Sequence, residues 1–143
     1  MSVQVSSGHK DSVVITSVTP HVQTREDTHL DSRIWTCGGG ASGEIYRGAE
    51  FTVGEKIGGI TYFDEADKLK GGRGWAVMLG KNDAAHFEFW VYGQSGGSVY
   101  EWTADLNALI DGKPKKLAVT DSGKPFLIGG IPPNAPEWTY PSS

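Results

Sequence analysis

One segment of the chain, 86–92, combines residues that could do chemistry with the alternation of a β-strand. Successive side chains of a strand point to opposite faces, so Phe87, Phe89 and Val91 would form one uniformly apolar face. We predict that this face belongs to the hydrophobic core. The even-numbered residues would share the outer face: His86, Glu88, Trp90 and Tyr92.

This outer face pairs two titratable groups with two aromatic rings that carry polar tips. Sugar recognition uses such a set, because an aromatic ring stacks on the apolar C–H face of a sugar while polar groups hydrogen-bond its hydroxyls. A purely structural interpretation also fits, since amphipathic aromatic residues on an exposed sheet face stabilise cross-strand pairs without binding a ligand.

The pair His86 and Glu88 also suits general acid–base catalysis. On a strand, an i, i+2 spacing places both side chains on one face about 7 Å apart. Histidine titrates near neutral pH, as a proton shuttle requires. These two residues predict an alternative function, a small β-barrel enzyme of the cyclase, isomerase or lyase type that surrounds an apolar cavity.

The next predicted strand repeats the mixture of aromatic and acidic residues. A hairpin closed by the glycine-rich turn before it would place Trp90 opposite Tyr100 and Trp102 opposite Glu88, and opposite residues share a face. A slip of one residue would instead send Tyr100 and Trp102 into the core. In the first register the predicted ligand-binding surface comprises six residues: His86, Glu88, Trp90, Tyr92, Tyr100 and Trp102.

Other candidate sites carry weaker patterns. The segment 37–43 resembles a phosphate-binding loop only in its glycine content, because it lacks the Gly-Lys-Ser/Thr ending. The single cysteine, Cys37, excludes an internal disulfide and any zinc site built from several cysteines. Since His9, His21 and His29 fall in predicted loops, we expect no metal site and no cofactor.

Charge and composition limit the classes of ligand that the chain is expected to bind. The 143 residues include 13 basic and 17 acidic side chains, for a net charge of −4. Without a basic stripe, binding to nucleic acid or to an anionic membrane by charge is disfavoured. A glycan or small molecule is the expected partner, and a homo-oligomer is compatible with the sequence. The start lacks the pattern of a classical signal peptide, so we expect a cytoplasmic protein or one secreted by another route.

Elsewhere the chain also alternates with a period of two, between glycine-rich turns. This pattern predicts an all-β single domain over 1–143, either an antiparallel sandwich or a small barrel. The predicted strands lie at 12–18, 49–53, 57–63, 74–79, 86–92, 98–103, 117–120 and 126–128.

Three segments are predicted to differ from these strands. Residues 103–111 can form one short helix, with Leu106, Leu109 and Ile110 at helical spacing, or a strand that enters a turn. The polar segment 21–33 is predicted to be a long loop. The proline-rich segment 131–143 is predicted to be an extended tail, because proline interrupts a hydrogen-bond ladder.

A chain of this size that is rich in tryptophan and glycine and all-β is broadly similar to small cytosolic lectins and to β-sandwich cytolysins. No motif in this chain matches either group closely enough to assign functional residues from it. The leading hypothesis is a non-catalytic, metal-independent, lectin-like carbohydrate-binding protein. The enzyme described above is one alternative, and a lipid-binding cytolysin with aromatic side chains at the membrane interface is another.

Overall fold

The computed structural model describes residues 1–25, 47–64, 67–70, 74–94, 96 and 98–129. Within these ranges the chain forms ten β-strands and no helix. The strands are β1 (Ser2–Ser6), β2 (Val13–Arg25), β3 (Arg47–Val53), β4 (Thr61–Asp64), β5 (Asp67–Lys70), β6 (Val77–Leu79), β7 (Ala84–Gly93), β8 (Val99–Ile110), β9 (Lys113–Val119) and β10 (Phe126–Gly129).

The described strands form two sheets that pack face to face as a β-sandwich and do not close into a barrel. The front sheet has the strand order β1-β7-β3-β4-β5. The back sheet has the order β10-β8-β2-β6, and β9 also pairs with β8. The pairing of β3 with β7 is parallel, whereas the other named strand pairs are antiparallel. The predicted sandwich is therefore confirmed.

Alternating residues of both sheets build the core between them. Phe51 of the front sheet meets Trp102 of the back sheet edge to face, with ring centroids 5.6 Å apart. A second link is polar, because the Tyr62 hydroxyl lies 3.3 Å from both the backbone nitrogen and the backbone oxygen of Val18. The two sheets are thus joined by packed rings and by a buried hydrogen-bonding group.

The segment 103–111 is not a helix, because its residues up to Ile110 belong to β8. Leu106 is buried and Leu109 is exposed, as a period of two requires and a helical face does not. The strand ends at a tight turn in which Asp111 and Gly112 both have positive φ, of 48° and 79°. Paired residues of this kind suit the two-residue connection to β9. Of the two alternatives for this segment, the strand is the one observed.

Part of the predicted loop at 21–33 is also a strand, since β2 runs to Arg25. Val22 points inward opposite Trp102, while His21 and Gln23 alternate with it. Polarity alone suggested a loop, but one polar face is what a strand at the surface of a sandwich carries. The rest of that segment, from residue 26, and the predicted tail at 131–143 lie outside the described residues.

Candidate functional site

Strand β7 alternates as its sequence predicts. Phe87 and Phe89 are buried in the core, and Val91 packs against it. The opposite face of β7 points to solvent, where 40% of Trp90 and 50% of Tyr92 is exposed. The prediction that the odd-numbered residues are core is therefore confirmed. Burying the phenylalanine side chains leaves the aromatic residues with polar tips on the outside.

The neighbouring strands extend this outer surface. Register places Ser2 opposite Glu88 and Gln4 opposite His86 on one side of β7. On the other side, β3 places Glu50 opposite Trp90 and Thr52 opposite Tyr92. We call the resulting surface of the front sheet the front face. It comprises Ser2, Gln4, Gly48, Glu50, Thr52, Thr61, Phe63, His86, Glu88, Trp90 and Tyr92.

An aromatic pair occupies the centre of the front face. The rings of Trp90 and Phe63 meet edge to face, with centroids 5.2 Å apart and planes at 72°. They come from β7 and β4 and meet across Gly48, which lies on β3 between them. A Cβ at Gly48 would lie 2.8 Å from Cζ3 of Trp90. The missing side chain of Gly48 is therefore what lets the indole lie over β3.

Trp75, a buried residue, supports the backbone beneath the aromatic pair from the inner side of the sheet. The indole N–H of Trp75 donates to the carbonyl oxygens of Gly48 at 3.0 Å and Phe63 at 3.2 Å. The Trp75 ring is itself fixed by Tyr62 at 4.8 Å and by Phe87 at 4.9 Å between centroids. Because the core determines where Gly48 and Phe63 lie, the site on the other side of the sheet is built on rigid strands.

Hydrogen-bonding groups surround the aromatic pair. The Ser2 hydroxyl donates to a carboxylate oxygen of Glu88. Glu50 lies opposite both Trp90 on β7 and Thr61 on β4, so a carboxylate and a hydroxyl flank the indole. His86 is exposed at the next outward position beyond Glu88. Chemically, the front face offers stacking surface, acceptors and hydroxyl donors to a ligand at the surface.

Two residues of the predicted surface lie elsewhere. Tyr100 and Trp102 are each only 5% exposed, and they belong to β8 in the back sheet, whereas β7 belongs to the front sheet. The predicted β7–β8 hairpin is therefore wrong. Trp102 instead packs against Phe51 and stacks on Phe126, with centroids 4.7 Å apart and planes at 30°. Burying these two large rings between the sheets outweighs the local pairing that the glycine-rich turn suggested.

The structure adds residues that the sequence interpretation missed, namely Gly48, Glu50 and Phe63. A usable signal exists for Glu50, because the predicted strand at 49–53 has apolar residues at Ala49, Phe51 and Val53, so that Glu50 must occupy the opposite face. For Phe63 no such signal was available, since its place beside Trp90 depends on how β4, β3 and β7 pair.

The geometry also bears on the other candidate chemistries. His86 and Glu88 lie on the outer surface and do not line the cleft between β1, β9 and β10, which includes Val3, Val119 and Phe126 and shares Ser2 with the front face. His21, predicted in a loop, lies on β2 with its Nε2 atom 2.9 Å from a carboxylate oxygen of Asp105.

The described residues contain no group of three or more histidine, cysteine, aspartate or glutamate side chains that could hold a metal ion. Across the same part of the chain, no helix has the length and apolar character needed to span a membrane.

Comparison of the chain with protein-family models, with curated proteins and with solved structures finds no match.

Proposed function

We propose that the chain is a carbohydrate-binding protein that holds a glycan on the front face without catalysis. The observation that carries this proposal is the exposure of two aromatic side chains on the front face, since Trp90 and Tyr92 present 40% and 50% of their surface to solvent. Large aromatic side chains grouped on a surface are informative, because folding alone favours burying them.

The chemistry of a sugar matches this surface. The C–H face of a pyranose is apolar and weakly positive, so it stacks on the electron-rich face of an indole or phenol. The hydroxyls of the same sugar need donors and acceptors around the ring. The hydroxyls of Thr52 and Thr61 and the carboxylates of Glu50 and Glu88 can provide them.

The outward direction of His86 and Glu88 favours binding over the enzyme hypothesis. General acid–base and electrostatic catalysis gain most of their strength in a site that excludes water. Both side chains instead lie on an open sheet surface. Their geometry suits hydrogen bonds to a bound ligand better than proton transfer in an enclosed cavity.

The test is titration with a panel of soluble oligosaccharides, by isothermal calorimetry, of the original chain and of two variants, Trp90→Ala and Tyr92→Ala. Removing a central aromatic contact costs about 1–2 kcal/mol, or roughly five- to thirtyfold in affinity. Met78→Ala is the matched control, because Met78 is an exposed apolar residue of the back sheet.

Two results would contradict the proposal. One is that no oligosaccharide binds, and the other is that a bound oligosaccharide keeps its affinity in both aromatic variants. A loss in Met78→Ala equal to that in Trp90→Ala would also count against a site on the front face.

A further inference from the structure

Two carboxylates flank the exposed indole at the centre of the front face. Glu50 is the direct cross-strand neighbour of Trp90, at the usual strand spacing of about 4.8 Å. Glu88 precedes Trp90 by two residues on the same face of β7, about 6.6 Å along the strand. Both glutamates are half-buried.

Among the residues of the front face, carboxylates outnumber basic side chains. The front face, as defined above, contains no lysine and no arginine, and His86 is its basic residue. The α-amino group of Met1 lies beside the face and donates to the carbonyl oxygen of Phe89 at 3.0 Å. The Ser2 hydroxyl bonded to Glu88 is neutral. A ligand bound over Trp90 therefore lies beside two carboxylates of the front face.

We propose that the front face selects pyranose chains that carry a free, protonated amine, as in 2-amino-2-deoxy sugars. This inference rests on the proposed function, because it names the class of glycan that the same site prefers. An equatorial amine projects from the edge of a pyranose ring, and Glu50 and Glu88 are the neighbours of Trp90 across and along the sheet. Stacking of the sugar on Trp90 brings the two groups together.

Two interactions would strengthen binding of the protonated amine, and a neutral substituent can form neither of them. An ammonium group forms charge-assisted hydrogen bonds with a carboxylate. It is also attracted to the face of an indole, the strongest aromatic partner for a cation. Acetylating the amine or replacing it with a hydroxyl removes the charge and both interactions, while the apolar face that stacks on Trp90 stays the same.

The expected preference follows from these contacts. One exposed charge pair contributes up to about fivefold in affinity, and one exposed cation–π contact contributes about two- to fivefold. With two carboxylates and one indole, we expect roughly fivefold to hundredfold tighter binding of the amine form. The preference should weaken as salt rises from about 0.02 M to about 0.5 M, because exposed charges are screened.

The experiment compares three β-1,4-linked tetramers that differ only at the 2-position: glucosamine, N-acetylglucosamine and glucose. Calorimetry in one buffer near pH 6 measures the affinity of each tetramer. The variants Glu50→Gln and Glu88→Gln remove each charge with little change in shape. Asp11→Asn is the matched control, since it changes net charge equally in the exposed turn between β1 and β2.

The proposal predicts that glucosamine tetramer binds at least about five times more tightly than the other two tetramers. The affinity ratio between amine and neutral forms should fall in both glutamine variants and persist in Asp11→Asn. Circular dichroism of each variant verifies that it is folded, and the double variant Glu50→Gln/Glu88→Gln provides a second measurement of the same charges.

Equal or tighter binding of a neutral tetramer would overturn this inference and leave the proposed function standing. A ratio that falls as much in Asp11→Asn as in the glutamine variants would also overturn it, because attraction to the whole acidic chain would then explain the preference. If none of the tetramers and no member of the wider panel binds, the proposed function fails, and this inference fails with it.

Discussion

Replacing Gly48 by alanine tests the link between the fold and the candidate site. An added Cβ would clash with the carbonyl oxygen of Glu88 and would lie 2.8 Å from Cζ3 of Trp90. The first contact is with backbone, and it cannot relax cheaply because Gly48 and Glu88 are register partners in the β3–β7 ladder. The second contact forces the indole away from the place where it meets Phe63.

The magnitude follows from these two contacts. Overpacking against backbone costs about 1–3 kcal/mol. Separating an aromatic pair costs about 0.5–1.5 kcal/mol more. In the opposite direction, alanine stabilises the folded state by about 0.4–1 kcal/mol, because it restricts the unfolded chain more than glycine does. We expect Gly48→Ala to lower the free energy of unfolding by about 0.5–4 kcal/mol. A domain with ordinary stability of about 5–15 kcal/mol would remain folded after this loss.

Gly59→Ala is the matched control. A Cβ at Gly59 would meet no described atom within 4 Å, other than its own chain neighbours. The same chemical change should therefore leave stability unchanged or raise it by up to about 1 kcal/mol. Urea denaturation followed by circular dichroism measures both variants, and oligosaccharide titration measures whether the displaced indole also weakens binding.

Equal stability of the two alanine variants would refute the reasoning. It would mean that β3 and β7 do not approach closely at Gly48, and that the indole does not lie over this residue. A destabilised Gly48→Ala variant that binds oligosaccharides as tightly as the original chain would uphold the fold argument and contradict the position of the site.

The remaining predictions concern the core and can be measured by urea denaturation. Phe89→Ala should lower the free energy of unfolding by about 3–5 kcal/mol, because it leaves a cavity in the packed interior; a loss below about 1 kcal/mol would contradict the assignment of strand faces. Tyr62→Phe should cost about 1–3 kcal/mol, because it removes the hydroxyl beside the buried backbone of Val18. Ser7→Ala should cost a similar amount, since the buried Ser7 hydroxyl accepts a hydrogen bond from the Asp83 amide at 2.9 Å. No change in either of these last two variants would mean that water replaces the lost hydroxyl.

Strand β7 shows what the sequence can predict well. A strand with one buried face alternates with a period of two, and in β7 the apolar residues Phe87 and Phe89 leave only one choice of inner face. The outward direction of Trp90 and Tyr92 follows directly. Local alternation therefore identified the β7 part of the candidate site without knowledge of any neighbouring strand.

The misplacement of Tyr100 and Trp102 shows where such reasoning ends. Local alternation says which residues share a face within one strand, but not which sheet the strand joins. The turn after β7 contains glycine and favours a hairpin, yet the chain crosses there from the front sheet to the back sheet. The apolar series Trp102, Ala104, Leu106 and Ala108 could be buried in either arrangement, and only packing between the sheets decides.

The parallel pairing of β3 with β7 explains both the missed residues and the character of the site. Two parallel neighbouring strands need a long connection between them. The local sequence therefore does not predict that Glu50 lies beside Trp90. The same pairing places the aromatic centre on interior strands of the front sheet, with its backbone fixed on both sides and from beneath by Trp75. A site held in this way loses little conformational entropy when a ligand binds, because its strands are already ordered. Its selectivity must then come from the side chains fixed around the indole. We therefore expect the charges of Glu50 and Glu88, rather than the movement of a loop, to determine which glycan the site prefers.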